Sequence, residues 1–243
     1  MMEKSFAEPA GGENADVLEN LKRIRERMAS ACQSCGRQPE EVTLLAVTKT
    51  VAAQRVNAAI QAGVTHIGEN RVQEFLDKRG GLQLEGVDVH LIGHLQTNKA
   101  GRIANEVDMI ESIDSARIAR AVDAACRKSG RVLDVLVEVN IGREVAKTGV
   151  LPEQLEELLA EIAGLSGIRV RGLMTVPPIL ETSAQKRQVF SQMRKLFIDI
   201  QAKNIDNIHM DILSMGMSSD YTEAILEGAT IVRVGSALFG KRG

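Results

Sequence analysis

Apolar residues recur in two rhythms along this chain. Over residues 16–31 they fall at helical spacing, with Val17, Leu18, Leu21, Ile24 and Met28 on one stripe. Gly36 and Pro39 then stop the helix. Beyond them, short apolar runs alternate with longer amphipathic stretches. The runs cover residues 42–47, 65–67, 89–92, 109–113, 133–139, 168–174, 210–213 and 230–234. Their length and β-branched content predict strands. Helical patterns stand between them, at 52–61, 116–128, 152–162 and 183–201 among others. Pro152 suits the first turn of its helix. Strands alternating with helices eight times over predict an α/β fold, a (β/α)8 barrel of the TIM type with an additional N-terminal helix. An open doubly wound sheet is the alternative, because strand count does not prove closure. No Gly/Ser or Pro-rich linker divides the chain. One barrel domain is expected over 16–243, preceded by a polar, flexible segment over 1–15.

In a barrel of this kind, ligands bind at the C-terminal ends of the strands. Polar residues gather at those ends here: Lys49, Asn70, His94, Asn140, Thr175, Ser214 and Arg233. Alternation puts Lys49 in phase with Leu45 and Val47, and Arg233 in phase with Ile231 and Gly235. If those faces point inward, an amine and a guanidinium share one mouth. Lys49 has two readings. It is a strand-end lysine snorkelling to water, or an amine among apolar walls, ready to form a Schiff base with an aldehyde.

The segments after the last two strands favour the second reading. They are Ser214-Met215-Gly216-Met217-Ser218-Ser219-Asp220 and Arg233-Val234-Gly235-Ser236. Barrels hold phosphate with the loops after strands 7 and 8. Glycine lets backbone N–H groups approach the anion, and serine adds a hydroxyl. Ser218 also has an ordinary use, as the cap of the helical pattern starting at Tyr221. Taken together, a phosphate site at one end of the mouth and a Schiff-base lysine at the other describe pyridoxal phosphate.

Composition narrows the function classes. The formal net charge is −2, and no long like-charge block exists, so non-specific binding to nucleic acid or to an anionic membrane is not signalled. Aromatic residues make up only 2% of the chain, too few for base-stacking platforms. No run is long enough to span a bilayer, and the N-terminus lacks the apolar core of a signal peptide. The three cysteines cannot form a closed set of disulfides, which fits the cytoplasm. Cys32 and Cys35 form a C-x-x-C, but at the end of a helix and without a second pair, so both read as ordinary helix-end cysteines. His66, His90, His94 and His209 lack paired ligand spacing, so no metal site is expected.

The motifs in combination resemble those of the pyridoxal phosphate homeostasis proteins, whose barrel is similar to the N-terminal domain of alanine racemase. They are Ala46-Val47-Thr48-Lys49-Thr50, Gly68-Glu69-Asn70, Ile92-Gly93-His94-Leu95-Gln96-Thr97-Asn98-Lys99, Gly172-Leu173-Met174, Ser214-Met215-Gly216-Met217-Ser218 and Val232-Arg233-Val234-Gly235. The resemblance implies that Lys49 carries the cofactor as an internal aldimine. It implies that Ser218, Gly235 and Ser236 hold the phosphate and Arg233 faces the pyridine nitrogen. Asn70, Ser214 and Met217 would complete the pocket. It also implies a cytoplasmic carrier, a monomer or weak dimer, that buffers the cofactor or delivers it to apo forms of pyridoxal-phosphate enzymes. One departure is Val51-Ala52, where many members have Lys-Pro, so a second lysine near the cofactor is missing.

Two enzyme readings stay open beside the carrier: a racemase-type pyridoxal enzyme, and a lyase whose lysine bonds a phosphorylated sugar directly. Two-base racemisation needs an acid opposite the lysine; no second domain to supply it is expected, and the sole tyrosine, Tyr221, should pack on the outer layer. His90 reads as buried packing and His94 as structural. Glu138, in phase with Asn140, should lie inside the barrel, paired with Arg171 or Lys147 or else protonated.

Overall fold

The structure, a computed structural model, describes residues 14–240. Most of the segment expected to be flexible lies outside them. Eight strands form one closed, all-parallel barrel in sequence order. They are β1 (Thr43–Val47), β2 (His66–Glu69), β3 (Asp88–Leu91), β4 (Met109–Ile113), β5 (Leu133–Glu138), β6 (Ile168–Met174), β7 (Ile208–Met217) and β8 (Ile231–Val234). Pairing of β1 with β8, Leu45 beside Arg233, closes the ring, so the open-sheet alternative does not hold.

The helices are α1 (Ala15–Ser34), α2 (Ala53–Gln61), α3 (Val72–Lys78), α4 (Ala100–Ile103), α5 (Ala116–Lys128), α6 (Leu155–Ile162), α7 (Ser183–Gln201), α8 (Tyr221–Leu226) and α9 (Ser236–Phe239). Val17, Leu21, Ile24 and Met28 form the buried stripe of α1, while Leu18 falls on its exposed flank. Gly36, in the left-handed region at φ +73°, ends that helix. Helix α1 packs across α8, α9 and α2. Asn20 donates to the Leu238 carbonyl at 2.9 Å, and Arg55 bridges Asp16 at 2.6 Å. Cys32, Cys35 and Cys126 are free thiols. No helix of the described residues is long and apolar enough to cross a membrane.

The expected strand at 210–213 runs longer at both ends, to Met217. Ser214 to Met217, the first four residues of the segment expected to follow the strand as a loop, are therefore strand. The register against β8 shifts between Ser214 and Met217, and Gly216 takes φ +92°. Ser214 is polar, yet its hydroxyl is satisfied inside the barrel, so the strand continues through it.

Alternation along each strand divides the core. Outward side chains join the helices in one large apolar shell. Inward ones form two small clusters, Leu45, Val47 and Ile231 in one and Met109, Leu136 and Met174 in the other. Between these clusters the interior is polar. Glu111 is fully buried and accepts from Ser214 Oγ at 2.6 Å. Its other oxygen lies 2.6 Å from His90 Nδ1. Arg233 Nη1 donates to the same Ser214 oxygen at 2.6 Å.

Candidate functional site

A cavity of about 350 Å³ opens at the C-terminal mouth of the barrel. Its wall contains Lys49, Asn70, Met217, Ser218, Arg233, Gly235 and Ser236. Seven of the eight residues expected to bind cofactor therefore meet there. Ser214 is the eighth; it is fully buried beneath Arg233 rather than on the wall. Val47, Ile92 and Val176 supply apolar surface between the polar ends. A flat heteroaromatic ring suits such walls, and the volume is at the lower end of small-ligand sites.

Each polar end follows from its strand. Lys49 stands two residues beyond the inward Val47, and both border the cavity. At the opposite side, the backbone N–H groups of Gly235 and Ala237 converge on Ser218 Oγ, at 3.1 and 3.2 Å. Ser218 thus serves the turn after β8. The residue at the start of α8 is Asp220, which accepts from Met217 N at 2.6 Å and holds the β7 end in shape. Burial pushes the Asp220 carboxyl up from its ordinary value. One hydroxyl oxygen that collects two backbone donors marks a place where anion oxygens bind well.

Arg233 forms the floor. It is 3% exposed and donates to the Thr175 carbonyl at 2.6 Å as well as to Ser214. Burial opposes its charge, and Glu111 favours it first among the nearby carboxylates. Burial also works against ionisation of Glu111, but the hydrogen bond and charge of His90, with Arg233 and Ser214, outweigh it and hold this carboxyl below the ordinary range. Asn70 lines the cavity with its Oδ1 buried and without a hydrogen-bond partner among the described residues. An orphan acceptor of this kind is what a bound polar ligand satisfies.

For Glu138 the two expected partners do not hold while burial favours the protonated alternative, and the reading of His90 is corrected. Glu138 pairs with neither Arg171 nor Lys147; it accepts from Thr148 Oγ1 at 2.7 Å, and burial pushes its pKa up. Arg171 bridges Asp134 and Asp211 instead, and Lys147 pairs with Glu144 and donates to the Pro177 carbonyl. His90 is buried, but as the partner of Glu111 rather than as plain packing. His94 faces Asp114 at 3.2 Å and is half exposed. Tyr221 is buried outside the barrel, with Arg27 over its ring at 5.3 Å. Sequence reasoning passed over Glu111. The available signal was a carboxylate inside the apolar run of β4, in phase with Met109.

A family model described as alanine racemase, N-terminal domain, matches residues 19–243. The pyridoxal phosphate homeostasis protein of Aquifex aeolicus is 42% identical over 227 residues, covering 93% of this chain and 99% of that one. This chain belongs to the pyridoxal phosphate homeostasis protein family. The Escherichia coli K12 homeostasis protein is 39% identical, over 93% of this chain and 97% of its own. Among solved structures, PipY of Synechococcus elongatus PCC7942 with PLP bound superposes with a TM-score of 0.81. It is 34% identical and covers 92% of this chain and 100% of its own. Alanine racemase of Clostridium difficile 630, at 16% identity and a TM-score of 0.71, shares the fold over 94% of this chain and 60% of its own. The homeostasis-protein barrel therefore extends over nearly all of this chain.

Proposed function

We propose that this chain binds pyridoxal 5′-phosphate and holds it for vitamin B6 homeostasis, without efficient catalysis. The observation that carries the reading is the meeting of Lys49 with the Ser218–Gly235–Ser236 cradle in one cavity. It is supported by relatives named for pyridoxal phosphate homeostasis and by the PLP-bound PipY. When bound, the cofactor supplies an aldehyde that an amine can bond reversibly with loss of water, together with a phosphate dianion.

In this reading residues 16–243 act as one unit. Lys49 supplies the amine. Gly235, Ser236 and Ser218 hold the phosphate, each charge-assisted bond contributing roughly 1.5–3 kcal/mol. Asn70 offers its Oδ1, Met217 lines the wall, and Ser214 sets Arg233 against the ring nitrogen. A guanidinium does not readily release a proton, so the ring nitrogen stays unprotonated. The ring is then a poor electron sink, which disfavours amino-acid chemistry. The only tyrosine, Tyr221, is buried between α1 and α8 and cannot serve as an opposing acid. The protein acts in the cytoplasm as a monomer or weak dimer, and apo forms of pyridoxal-phosphate enzymes are its recipients.

Borohydride reduction of the loaded protein followed by peptide mapping tests the site; the pyridoxyl group is expected on Lys49. Exchange of the Cα hydrogen of alanine and other amino acids tests the absence of turnover. Exchange at roughly 1 per second or faster that disappears in Lys49→Ala would establish the racemase-type enzyme instead.

A further inference from the structure

Lys49 sits on a short turn between β1 and α2, and that turn is held from outside the barrel. The peptide carbonyl before it, Thr48 O, accepts from Lys78 Nζ at 2.6 Å. The peptide N–H after it, Thr50 N, donates to Glu74 Oε1. Lys78 and Glu74 are one turn apart on α3 and face each other at 3.6 Å. Lys78 also bridges Glu69 at 2.7 Å, and Glu69 accepts from the Thr48 hydroxyl. Thr48 and Glu69 are fully buried. Thr50 stands at φ +59°, a conformation a threonine adopts only when its surroundings impose it.

We infer that Lys78 and Glu74 are positioning residues that aim the Lys49 amine at the cofactor aldehyde. The argument is geometric. A residue's φ and ψ are set by the two peptide planes that flank it. Here one plane is fixed through its C=O by Lys78 and the other through its N–H by Glu74. The two ends of a single ion pair thus fix both dihedrals of Lys49. The pair lies on a helix, with the acid four residues before the base, the favourable order. Neither residue lines the cavity. Their effect is therefore on the direction of the lysine stem and not on cofactor contacts.

This inference rests on the reading of Lys49 as the cofactor amine, and the experiment separates the two. The wild-type protein, Lys78→Met, Glu74→Ala and the double variant Lys78→Met/Glu69→Gln are mixed with pyridoxal phosphate. Covalent attachment is followed by visible absorbance and mapped after borohydride trapping. Affinity is measured separately with pyridoxine phosphate, whose alcohol cannot bond an amine. The Lys78 variants should attach roughly 10- to 100-fold more slowly, as a misaimed nucleophile does. Glu74→Ala, which removes the acceptor of Thr50 N–H and leaves Lys78 paired with Glu69, should be slowed several-fold. Pyridoxine phosphate should bind all of them as it binds wild type, because rate and affinity are separable here. If wild type carries no label on Lys49, the proposed site itself fails. If wild type is labelled there and Glu74→Ala, which has no acceptor for Thr50 N–H, attaches at the wild-type rate, the positioning role is overturned. Parallel loss of attachment and pyridoxine phosphate affinity also overturns it, since that marks a merely structural role. Should Lys78→Met fail to fold because Glu69 is left without its cation, the double variant and Glu74→Ala decide.

Discussion

Replacing Glu111 by leucine should be among the most damaging single changes in the barrel interior. The carboxylate is fully buried and held below the ordinary range, so it is ionised at neutral pH. It accepts from Ser214 at 2.6 Å, faces His90 at 2.6 Å, and meets the Arg233 charge across the Ser214 hydroxyl. Leucine would leave a guanidinium that is 3% exposed without its anion. Removing one member of a buried pair costs about 3–5 kcal/mol. At roughly 2–4 °C per kcal/mol for a chain of this size, the melting midpoint should fall by about 6–20 °C. The control is Glu138→Gln. Glu138 is also buried, but burial pushes its pKa up where that of Glu111 is held down, and its side-chain partner is the Thr148 hydroxyl, which an amide oxygen also accepts from. That variant should change little. Circular dichroism melts of the three proteins at neutral pH give the comparison. The Glu111 penalty should shrink as pH falls below the ordinary glutamate value of 4.5, because a depressed carboxyl gives up its stabilisation when protonated. A shift smaller than about 2 °C in Glu111→Leu, or an equal fall in Glu138→Gln, would refute an ion-paired column beneath Arg233.

Gly93→Ala should weaken cofactor binding from a distance, since the added methyl carbon would stand 2.2 Å from the Asn70 carbonyl oxygen and must displace that backbone. An overpacking cost of about 1–3 kcal/mol should appear in the melt, and unchanged stability with unchanged pyridoxal phosphate affinity would contradict the contact. Unphosphorylated pyridoxal should bind far more weakly than its phosphate, because the bonds at Gly235, Ser236 and Ser218 are lost together; equal affinities in a titration would speak against the cradle. Burial raises the folded-state pKa of Glu69 and Glu138, so the folded state takes up their protons first and stability should gain as pH falls from neutrality toward 4.5. Glu138→Gln should reduce that gain, and identical pH dependences of the melting midpoint would count against it.

The strands, the helices and the polar residues of the mouth were legible because each rests on a local period. Residues at strand ends could be assigned to the mouth before any pairing was known. What depends on register was not legible. Glu138 is level with Met174 across the β5–β6 pair, whereas Arg171 sits lower, beside Asp134 and Asp211. Sequence phase shows which face a residue takes but not its height along the axis. The extension of β7 was hidden for a related reason. Ser214 and Met215-Gly216 read as a turn until Glu111 and Arg233, from β4 and β8, are seen to satisfy the serine. The supports of Lys49 were invisible because Lys78 and Glu74 look like an ordinary surface pair of α3.

On the proposed reading of the site, the β1–β8 pairing sets when during synthesis this chain first becomes a receptor. Lys49 follows β1, the first strand of the barrel, while Arg233 lies on β8, the last, and Gly235 and Ser236 follow it. The two halves of the site meet only at the seam where the barrel shuts. A nascent chain displays the Lys49 amine long before it has the Gly235–Ser236 turn, so on the proposed reading phosphate recognition cannot add to aldehyde capture until the barrel shuts. Occupancy by the cofactor then reports that the last strand has docked, and a ligand bridging the seam fastens together the first and last strands to be translated.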